Sequence, residues 1–322
     1  VVEHEPALRD LWKHSDSEVR STPATVLCGS SSPDSVAADL EPLLRRYGPR
    51  RIVRINVSGG SSLNRTVYDT VERRLHEELK RFWTNRATEV LLGRRWMTNL
   101  FQNLLVRGRP ATDLAQILPA TVVLVGAGPE LRNHLDELAT LSQHRSSPSA
   151  PAICAVDTAL PTLTSAGIRP DVVFSLDGQF FNSRDFVPRL PEGVPLCCDL
   201  TTYPSVPRLV DRANVFWVRS SFAPLQAFQE PSPAFASIPS IPALGSVAAM
   251  ALHLVSGGLP SRGNWPVRAV CLVGIDFLYR HPEMTHAPMS PAHRLFLTTN
   301  TRLNALPRIG ATVSRPTITT LD

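Results

Sequence analysis

The feature that most constrains the fold is a regular alternation of short apolar runs and helix-like segments between residues 121 and 273. Each apolar run is continuous, which is typical of strands that are covered on both faces. The expected strands cover residues 121–125, 151–156, 172–176, 194–199, 215–219 and 267–273. The expected helices cover residues 130–141, 158–166 and 246–256. This order predicts βαβ units that form a mainly parallel sheet with helices on both faces, a Rossmann-like α/β fold.

The first third of the chain predicts a smaller α/β lobe that ends in helices. Its expected strands are short, rich in β-branched residues and bounded by Gly, Ser or Pro. Its expected helices carry apolar residues at helical spacing. These elements are strands 24–29 and 51–57 and helices 34–47, 65–83 and 89–106.

The same patterns divide the chain into three expected regions, a lobe over 1–115, a core over 116–290 and a loop-rich tail over 291–322. The chain runs from Val1 to Asp322 without evident terminal signals, so we expect a segment of a longer protein that is truncated in its tail. No apolar run approaches the length that spans a bilayer, and no signal peptide opens the chain. The cytoplasm is therefore the expected location.

Charge and cysteine content argue against a nucleic-acid-binding protein and against a protein held by disulfides or zinc. The net charge is +5, from 33 Lys and Arg against 28 Asp and Glu. No dense basic stripe with interleaved aromatic residues is present, so we expect no nucleic-acid partner. The cysteines form no CxxC pair and lie mostly in apolar runs, which favours buried free thiols over disulfides or zinc ligands. They are Cys28, Cys154, Cys197, Cys198 and Cys271.

A glycine-rich turn follows the expected strand 121–125. It consists of Gly126, Ala127, Gly128 and Pro129. Glycines let backbone approach a ligand closely, and N–H groups at the start of a helix attract anions. The turn is not a dinucleotide fingerprint, because Leu131 stands where the third glycine would be, and it lacks the Lys of a P-loop. It is either a phosphate cradle or a tight strand–helix turn, and Glu130 would repel a phosphate unless its carboxylate points outward.

Acidic residues end several of the expected strands. They are Asp157, Asp177, Asp199 and Asp276. Ligands of such sheets bind beyond the carboxyl ends of the strands, so these residues form a candidate polar rim. Asp157 and Asp177 follow neighbouring strands, and paired carboxylates hold Mg²⁺ on a polyphosphate, bind ribose hydroxyls or act as a general base. A helix cap is the alternative role for Asp157.

One histidine is a candidate acid or base. His286 lies in a Met-Thr-His-Ala segment after the last expected strand. A histidine gains or loses a proton near neutral pH, although an ordinary loop histidine is the alternative. No HExxH, GxSxG or Cys/His zinc spacing competes with it.

An ordered series of motifs resembles the MptE-like family. The series is Gly-Ala-Gly-Pro-Glu-Leu, Ala-Val-Asp-Thr-Ala-Leu, Gly-Ile-Arg-Pro-Asp-Val-Val-Phe-Ser-Leu-Asp-Gly-Gln-Phe-Phe-Asn, Ile-Pro-Ala-Leu-Gly-Ser-Val-Ala, Val-Gly-Ile-Asp-Phe-Leu-Tyr and Thr-His-Ala. Upstream, residues 85–103 resemble the helical segment before the family's core, so the resemblance covers roughly residues 80–290. The family is named for the archaeal 6-hydroxymethylpterin diphosphokinase and includes the bacterial motility-associated Maf proteins. Maf proteins are glycosyltransferases that place nonulosonic acids on flagellin, and the family fold is similar to that of bacterial sialyltransferases.

The resemblance implies a nucleotide site at the carboxyl edge of the core, in which the glycine turn cradles a phosphate. The implied nucleotide-binding residues are Gly126, Ala127, Gly128, Pro129, Gln179, Asn182, Gly245, Ser246 and Asp276. The implied catalytic residues are His286, Asp177 and Asp157, with His286 assisting departure of the nucleotide phosphate. The family usually has Ser where this chain has Glu130, which removes one expected hydrogen bond to the phosphate.

Three functions fit the resemblance. The leading hypothesis is a Maf-like glycosyltransferase that moves a nonulosonic acid from a CMP-linked donor to a Ser or Thr hydroxyl of flagellin or another protein. The second is an MptE-like diphosphokinase that uses ATP and a hydroxymethylpterin, with Mg²⁺ held by Asp157 and Asp177. The third is a nucleotide-binding scaffold without activity. The shared motifs do not separate them.

Overall fold

The computed structural model describes residues 2–3, 27–28, 65–144, 150–187, 190–221, 235–259, 265–276, 286–287 and 289–290. The chain divides into two compact units, Val1–Leu91 and Leu92–Asp322. The predicted boundary at residue 115 therefore falls inside the second unit. The predicted helix 34–47, strand 51–57 and tail 291–322 lie outside the described residues.

The first unit contains a pair of short parallel strands. They are β1 (Val2–Glu3) and β2 (Leu27–Cys28), and Val2 is in register with Leu27. Strand β2 lies within the predicted strand 24–29.

One long helix, α1 (Arg65–Leu104), takes the place of the two helices predicted over 65–83 and 89–106. The predicted interruption was wrong because the stretch between them contains neither Gly nor Pro, the residues that end helices most readily. The hydroxyl of Thr88 donates to the carbonyl of Thr84 at 2.9 Å, so its polar group is satisfied along the helix.

The second unit is built on a parallel sheet. Its strands are β3 (Arg109–Pro110), β4 (Thr121–Val125), β5 (Ala152–Val156), β6 (Val172–Ser175), β7 (Leu196–Asp199), β8 (Val215–Ser220), β9 (Ser240–Ile241) and β10 (Ala269–Val273). Their order is β10-β4-β5-β6-β7-β8-β3, with β9 paired to β8, and each of these pairs is parallel. The predicted mainly parallel α/β fold is confirmed. Strands β3 and β9 were not predicted, because each is only two residues long and is too short to show a strand pattern in the sequence.

The helices of this unit follow the strands as predicted. They are α2 (Leu135–Gln143), α3 (Leu160–Ser165) and α4 (Val247–Val255). Short 3₁₀ turns over Pro129–His134 and Asp157–Ala159 precede the first two, so these helices become α-helical later than the sequence indicates. Among the described helices, none combines the length and the apolar character that crossing a membrane requires.

The core lies around the central strands, and the edge is more open. Every residue of β5, β6 and β7 is buried, and Cys154, Cys197 and Cys198 are free buried thiols there, as expected. Cys271 is also free but exposed, contrary to its predicted burial. The reason is that it belongs to β10, the edge strand of the sheet.

The strand order creates a switch point between β4 and β10. From β4 to β8 the chain adds strands in one direction across the sheet, and it then returns to add β10 on the other side of β4. Open α/β sheets bind ligands beyond the carboxyl ends of the strands at such a reversal. The loops after β4, β5, β6 and β10 are therefore the place to look for a site.

Candidate functional site

The glycine turn after β4 packs against the end of β10. The N–H of Gly126 donates to the carbonyl of Val273 at 2.8 Å, and that of Gly128 donates to the carbonyl of Gly274 at 2.7 Å. A Cβ on Gly126 would lie 2.5 Å from the carbonyl oxygen of Gly274, and one on Gly128 would lie 2.6 Å from Oδ2 of Asp276. Both glycines are therefore required for two backbone segments to approach each other. Two N–H groups of the predicted phosphate cradle therefore already have acceptors in the chain.

The side chain of Asp276, which follows β10, lies beside the first residues of the 3₁₀ turn over Pro129–His134. Its Oδ2 accepts the N–H of Glu130 at 2.9 Å. Burial raises the pKa of Asp276, and nearby His134 lowers it. A carboxylate of the chain thus occupies the position at which a nucleotide phosphate was expected. The carboxylate of Glu130 accepts a hydrogen bond from Asn133 at 2.6 Å, so it is directed along its own turn.

The segment that carries His286 is joined to the same glycine turn. The N–H of Ala287 donates to the carbonyl of Ala127 at 2.8 Å, and Ala287 is fully buried. The side chain of His286 is half-buried. Two parts of the chain that are far apart in sequence therefore meet at the carboxyl edge.

A buried polar network joins the ends of β5 and β6. Asp157 is fully buried, and its Oδ2 accepts a hydrogen bond of 2.6 Å from Nδ2 of Asn182. Its Oδ1 accepts the N–H of Thr158 at 2.9 Å. The hydroxyl of Ser175 donates to Oδ1 of Asn182 at 3.1 Å, so both ends of that amide are held. Burial raises the pKa of Asp157 to about 6, although hydrogen bonds from Asn182, Ser175 and Thr158 oppose the rise.

Asp177 lies at the rim of this network, and its side chain is exposed. Its Oδ1 accepts the N–H of Gln179 at 2.9 Å, and its carbonyl accepts the N–H of Tyr203 at 3.0 Å. Partial desolvation raises the pKa of Asp177, while the Gln179 N–H and the Arg95 guanidinium lower it. Of the predicted catalytic carboxylates, this is the one that a ligand can reach directly.

Sequence reasoning missed a third carboxyl group, Asp185, which is 7% exposed. It lies on the 3₁₀ turn over Phe180–Phe186, three residues after Asn182, so both side chains lie on the same face of the turn. Burial raises the pKa of Asp185 to about 8, and the charges of Asp157 and Asp177 add to the rise. The three-residue spacing from Asn182 is the signal that could have found it.

The opposite face of this turn presents aromatic rings to solvent. Phe180 is 58% exposed and Phe181 is 60% exposed. The ring of Phe180 meets that of Tyr203 edge to face, with centroids 5.6 Å apart. The guanidinium of Arg184 lies over the ring of Phe181, 4.8 Å from its centroid. These residues form an aromatic rim (Phe180, Phe181 and Tyr203) beside Asp177.

Two buried asparagines of α1 hold the loops after β6 and β7. Each uses its Nδ2 to donate two hydrogen bonds to backbone carbonyls. The acceptors are Gly178 and Thr201 for Asn99, and Leu200 and Thr202 for Asn103, at 2.7 to 2.9 Å. Because both acceptors of each pair are carbonyls, the orientation of each amide is determined. The end of α1 therefore holds the backbone directly after Asp177, at Gly178, and the loop after β7.

Three further candidates, Gly245, Ser246 and Asp199, have local structural roles. The hydroxyl of Ser246 accepts the N–H of Ala249 at 3.1 Å and caps α4, and Gly245 has a φ of +69°, which favours glycine. Asp199 is fully buried and accepts hydrogen bonds from the N–H and hydroxyl groups of Thr201 and Ser220. It joins the ends of β7 and β8 and does not face a ligand.

These features fall within the part of the chain that a known family covers. The family described as 6-hydroxymethylpterin diphosphokinase MptE-like matches residues 94–281, which include the glycine turn, the carboxyl groups and the aromatic rim. The chain belongs to the MptE-like family. A similar protein, an uncharacterized protein of Treponema pallidum (strain Nichols), is 29% identical over 277 residues. The alignment covers 82% of this MptE-like chain and 44% of that relative, so the chain spans less than half the relative's length.

A solved structure is similar to this MptE-like chain in fold. It is the Maf glycosyltransferase from Magnetospirillum magneticum AMB-1, with a TM-score of 0.55 and 16% sequence identity. The match covers 83% of this chain and 40% of that one. At this identity the likeness shows the α/β fold alone.

In this MptE-like chain, the two aspartates predicted to hold Mg²⁺ in a diphosphokinase already accept hydrogen bonds. Both carboxylate oxygens of Asp157 accept hydrogen bonds, and Oδ1 of Asp177 accepts another. Across the residues that the structure describes, no group of three or more His, Cys, Asp or Glu side chains is arranged to hold a metal ion. Mg²⁺ is usually held by one or two carboxylates together with substrate phosphates, so the role of Asp157 and Asp177 in holding it stays a prediction.

Proposed function

We propose that this chain is a nucleotide-dependent transferase, a Maf-like glycosyltransferase that moves a nonulosonic acid from a CMP-linked donor to a Ser or Thr hydroxyl of flagellin or another protein in the cytoplasm. One observation carries the proposal. The accessible Asp177, the buried carboxyl groups behind it and the aromatic rim lie together at the carboxyl edge of a parallel sheet. A fold similar to that of a Maf glycosyltransferase adds support.

The reaction needs one base and one group that helps the leaving phosphate. The acceptor oxygen forms a bond to the anomeric carbon, the bond from that carbon to the phosphate oxygen breaks, and its electron pair leaves with CMP. A base must take the proton of the acceptor hydroxyl. Asp177 suits this role because it is exposed, and because partial desolvation raises its pKa, which makes its carboxylate a stronger base. His286, on the segment joined to the glycine turn, is the proposed donor to the leaving phosphate.

The other predicted residues act less directly in this proposal. Asp157 is fully buried and holds Asn182, so it contributes negative charge behind Asp177 and does not contact the substrate. Gln179 shapes the turn that presents Asp177. The exposed rings of Phe180 and Phe181 offer faces on which a planar base can stack, an interaction that contributes about 1–3 kcal/mol per base.

The description of the family supports an alternative, a 6-hydroxymethylpterin diphosphokinase. That reaction would use ATP and a pterin, and the planar pterin could stack on the same aromatic rim. It also depends on Mg²⁺ to neutralise the phosphates, and the similarity in fold to a Maf glycosyltransferase favours sugar transfer. We therefore place it second.

The test is a transfer assay with the purified chain, a CMP-nonulosonate and flagellin. We expect release of CMP and a gain of one sugar mass on flagellin. Asp177→Ala should lower the rate about 100-fold or more, as expected for loss of a general base, and His286→Ala should also lower it. Asp136→Ala, which removes an exposed carboxylate on α2, is the matched control. Transfer that survives both Asp177→Ala and His286→Ala would show the site assignment to be wrong, and activity only with ATP and a pterin would support the alternative.

A further inference from the structure

Asn103 has a buried polar atom that no group of the chain satisfies. Its side chain is fully buried, and its Nδ2 donates to the carbonyls of Leu200 and Thr202. Its Oδ1 has no hydrogen-bond partner among the residues that the structure describes. Because Nδ2 is held by two acceptors, the amide cannot turn to exchange its two ends. A buried acceptor without a donor costs folding free energy, and an outside group that donates to Oδ1 would remove that cost.

The same side chain lines a cavity of about 210 Å³ at the end of α1. The other side chains of its wall are mostly apolar. The apolar lining residues are Leu104, Val106, Pro110, Leu200, Trp217 and Ile238. The indole N–H of Trp217 already donates to the carbonyl of Val106 at 3.3 Å, so it does not serve Asn103.

The size of the cavity indicates what it can hold. One water takes up about 30 Å³ of liquid, so the cavity is several times larger than a single structural water needs. Pockets for drug-sized ligands begin at roughly 300 Å³, so this one suits a smaller molecule, of about one ring.

The mouth of the cavity is cationic. Two arginines line it, and none of the described lining residues is acidic. The guanidinium of Arg109 donates to Asp113 at 3.0 Å and to Gln116 at 2.7 Å. Arg107 is exposed, and its side chain has no hydrogen bond or ion pair with another described residue. Arg107 is therefore available to an anionic group at the mouth.

The cavity borders the candidate donor site but shares no residue with it. Neither Asp177 nor any residue of the aromatic rim lines the cavity. The loop after β7 lies between the two, and Leu200 of this loop belongs to the cavity wall. The next carbonyl, that of Thr201, is held by Asn99 together with the carbonyl of Gly178. Asn99 precedes Asn103 by one helical turn, so the two sites are neighbours along α1.

We propose that this cavity is a second small-molecule site, for a one-ring aromatic anion that carries an O–H or N–H donor. The donor meets Oδ1 of Asn103, the ring packs against Trp217, and the anionic group lies beside Arg107. The apolar wall argues against a free sugar, since most of its hydroxyls would be buried there without a partner. The inference does not depend on the proposed function, because it uses other residues.

Three related probes test the two polar contacts. Para-hydroxybenzoate has both the donor and the anion, para-toluate has a methyl group in place of the donor, and para-cresol lacks the anion. Titrations of the purified chain follow the indole N–H resonance of Trp217, which Trp217→Phe identifies. The Kd of para-hydroxybenzoate should be roughly 2- to 10-fold lower than that of para-toluate, because only its hydroxyl pairs with Oδ1 of Asn103. Equal Kd values would show that the ligand does not use Asn103 and would overturn the proposal.

Substitutions of exposed residues locate the site. Arg107→Ala should raise the Kd of para-hydroxybenzoate about two- to fivefold, the range for an exposed charge pair, and leave that of para-cresol unchanged. Arg132→Ala is the control, since it removes an exposed arginine after β4, four strands from β8. Ser237→Trp puts a large side chain at an exposed lining position and should abolish saturable binding, whereas Ser240→Trp, exposed and outside the lining, should not. All four melting temperatures should stay close to the wild-type value, because the replaced side chains are exposed.

Competition with CMP tests whether the cavity is a second site. Saturating CMP should leave the Kd of para-hydroxybenzoate unchanged, because the proposed donor site beside Asp177 shares no residue with the cavity. Displacement by CMP would make the cavity part of the nucleotide site and would contradict a second site. If no probe moves the Trp217 resonance, or if Ser237→Trp leaves the Kd unchanged, the cavity is not a site for this class of ligand. A chain that binds para-hydroxybenzoate as described but does not bind CMP would contradict the proposed function and support the cavity.

Discussion

Nδ2 of Asn182 donates a 2.6 Å hydrogen bond to Oδ2 of the fully buried Asp157. The other end of the amide accepts the hydroxyl of Ser175, so Asn182 has one orientation. The pair joins the turn after β5 to the turn after β6, and it holds a carboxyl group directly behind Asp177. The amide of Asn182 therefore opposes the rise in the pKa of Asp157 that burial causes.

Removing that amide should destabilise the fold. Asn182→Ala leaves Asp157 buried without its shortest hydrogen bond, and the free energy of unfolding should fall by about 1–3 kcal/mol. Urea denaturation at pH 7 measures the change. Ser183→Ala is the control, because Ser183 is the next residue and its hydroxyl only donates to the carbonyl of Phe180 near the surface. Equal stability of the two variants would contradict the role given to Asn182.

Stability should fall as pH rises from about 4 to about 8. The pKa values of Asp157 and Asp185 are raised from 3.8 to about 6 and about 8, so the folded state binds more protons than the unfolded state in this window. The stabilisation is complete below pH 4 and is lost as pH passes through the two folded values. Asp185→Asn should remove the upper part of this slope, and Asp136→Asn should leave it unchanged. Denaturation midpoints at pH 5, 6, 7 and 8 test it, and a flat profile for wild type would contradict it.

Much of the fold could be predicted, because buried strands have a strong sequence signature. Strand β4 was predicted to the residue, and β5 to β8 differ from prediction by only one or two residues at their ends. The single helix α1 was predicted as two, although the stretch between the two predicted helices contains neither Gly nor Pro. The positions of strands and helices depend mainly on neighbouring residues, so local sequence patterns predict them.

The candidate site was less predictable because its contacts are long-range. The acceptor for the N–H of Gly128 is Gly274, and the carboxylate beside the N–H of Glu130 is Asp276, in a segment 146 residues away. Glycine in a turn looks the same whether its missing side chain makes room for a phosphate or for another strand. The burial of Asp185 could not be predicted either, since it depends on how the turn after β6 packs against elements that are distant in sequence.

The glycine turn should be intolerant of alanine. In Gly126→Ala the new Cβ would lie 2.5 Å from the backbone oxygen of Gly274, so β4 and β10 must separate. We expect a loss of about 1–3 kcal/mol in the free energy of unfolding, the range for overpacking. Gly93→Ala is the matched control, since its Cβ would meet nothing within 4 Å and Ala favours a helix by up to about 1 kcal/mol. If Gly126→Ala is as stable as Gly93→Ala, the backbone of Gly126 does not approach that of Gly274 as closely as described.

The aromatic rim should contribute to ligand binding and not to stability. Phe180→Ala removes a ring that is 58% exposed, so the melting temperature should change little. The Kd of the nucleotide should rise roughly 5- to 150-fold, the effect of losing one stacking contact of about 1–3 kcal/mol. Phe101→Ala, another exposed phenylalanine at 54%, is the control for loss of surface aromatic area. Equal affinities of the two variants would exclude stacking on Phe180.

The central claim is that the carboxyl edge of this sheet binds a CMP-linked sugar donor. Isothermal titration of the purified chain with CMP, CMP-N-acetylneuraminate, and ATP with Mg²⁺ tests it most directly. The account predicts saturable binding of both CMP ligands, weakened at least about fivefold by Phe180→Ala at pH 7. Binding of ATP with Mg²⁺ in preference to both CMP ligands, or CMP binding that Phe180→Ala does not change, would contradict it.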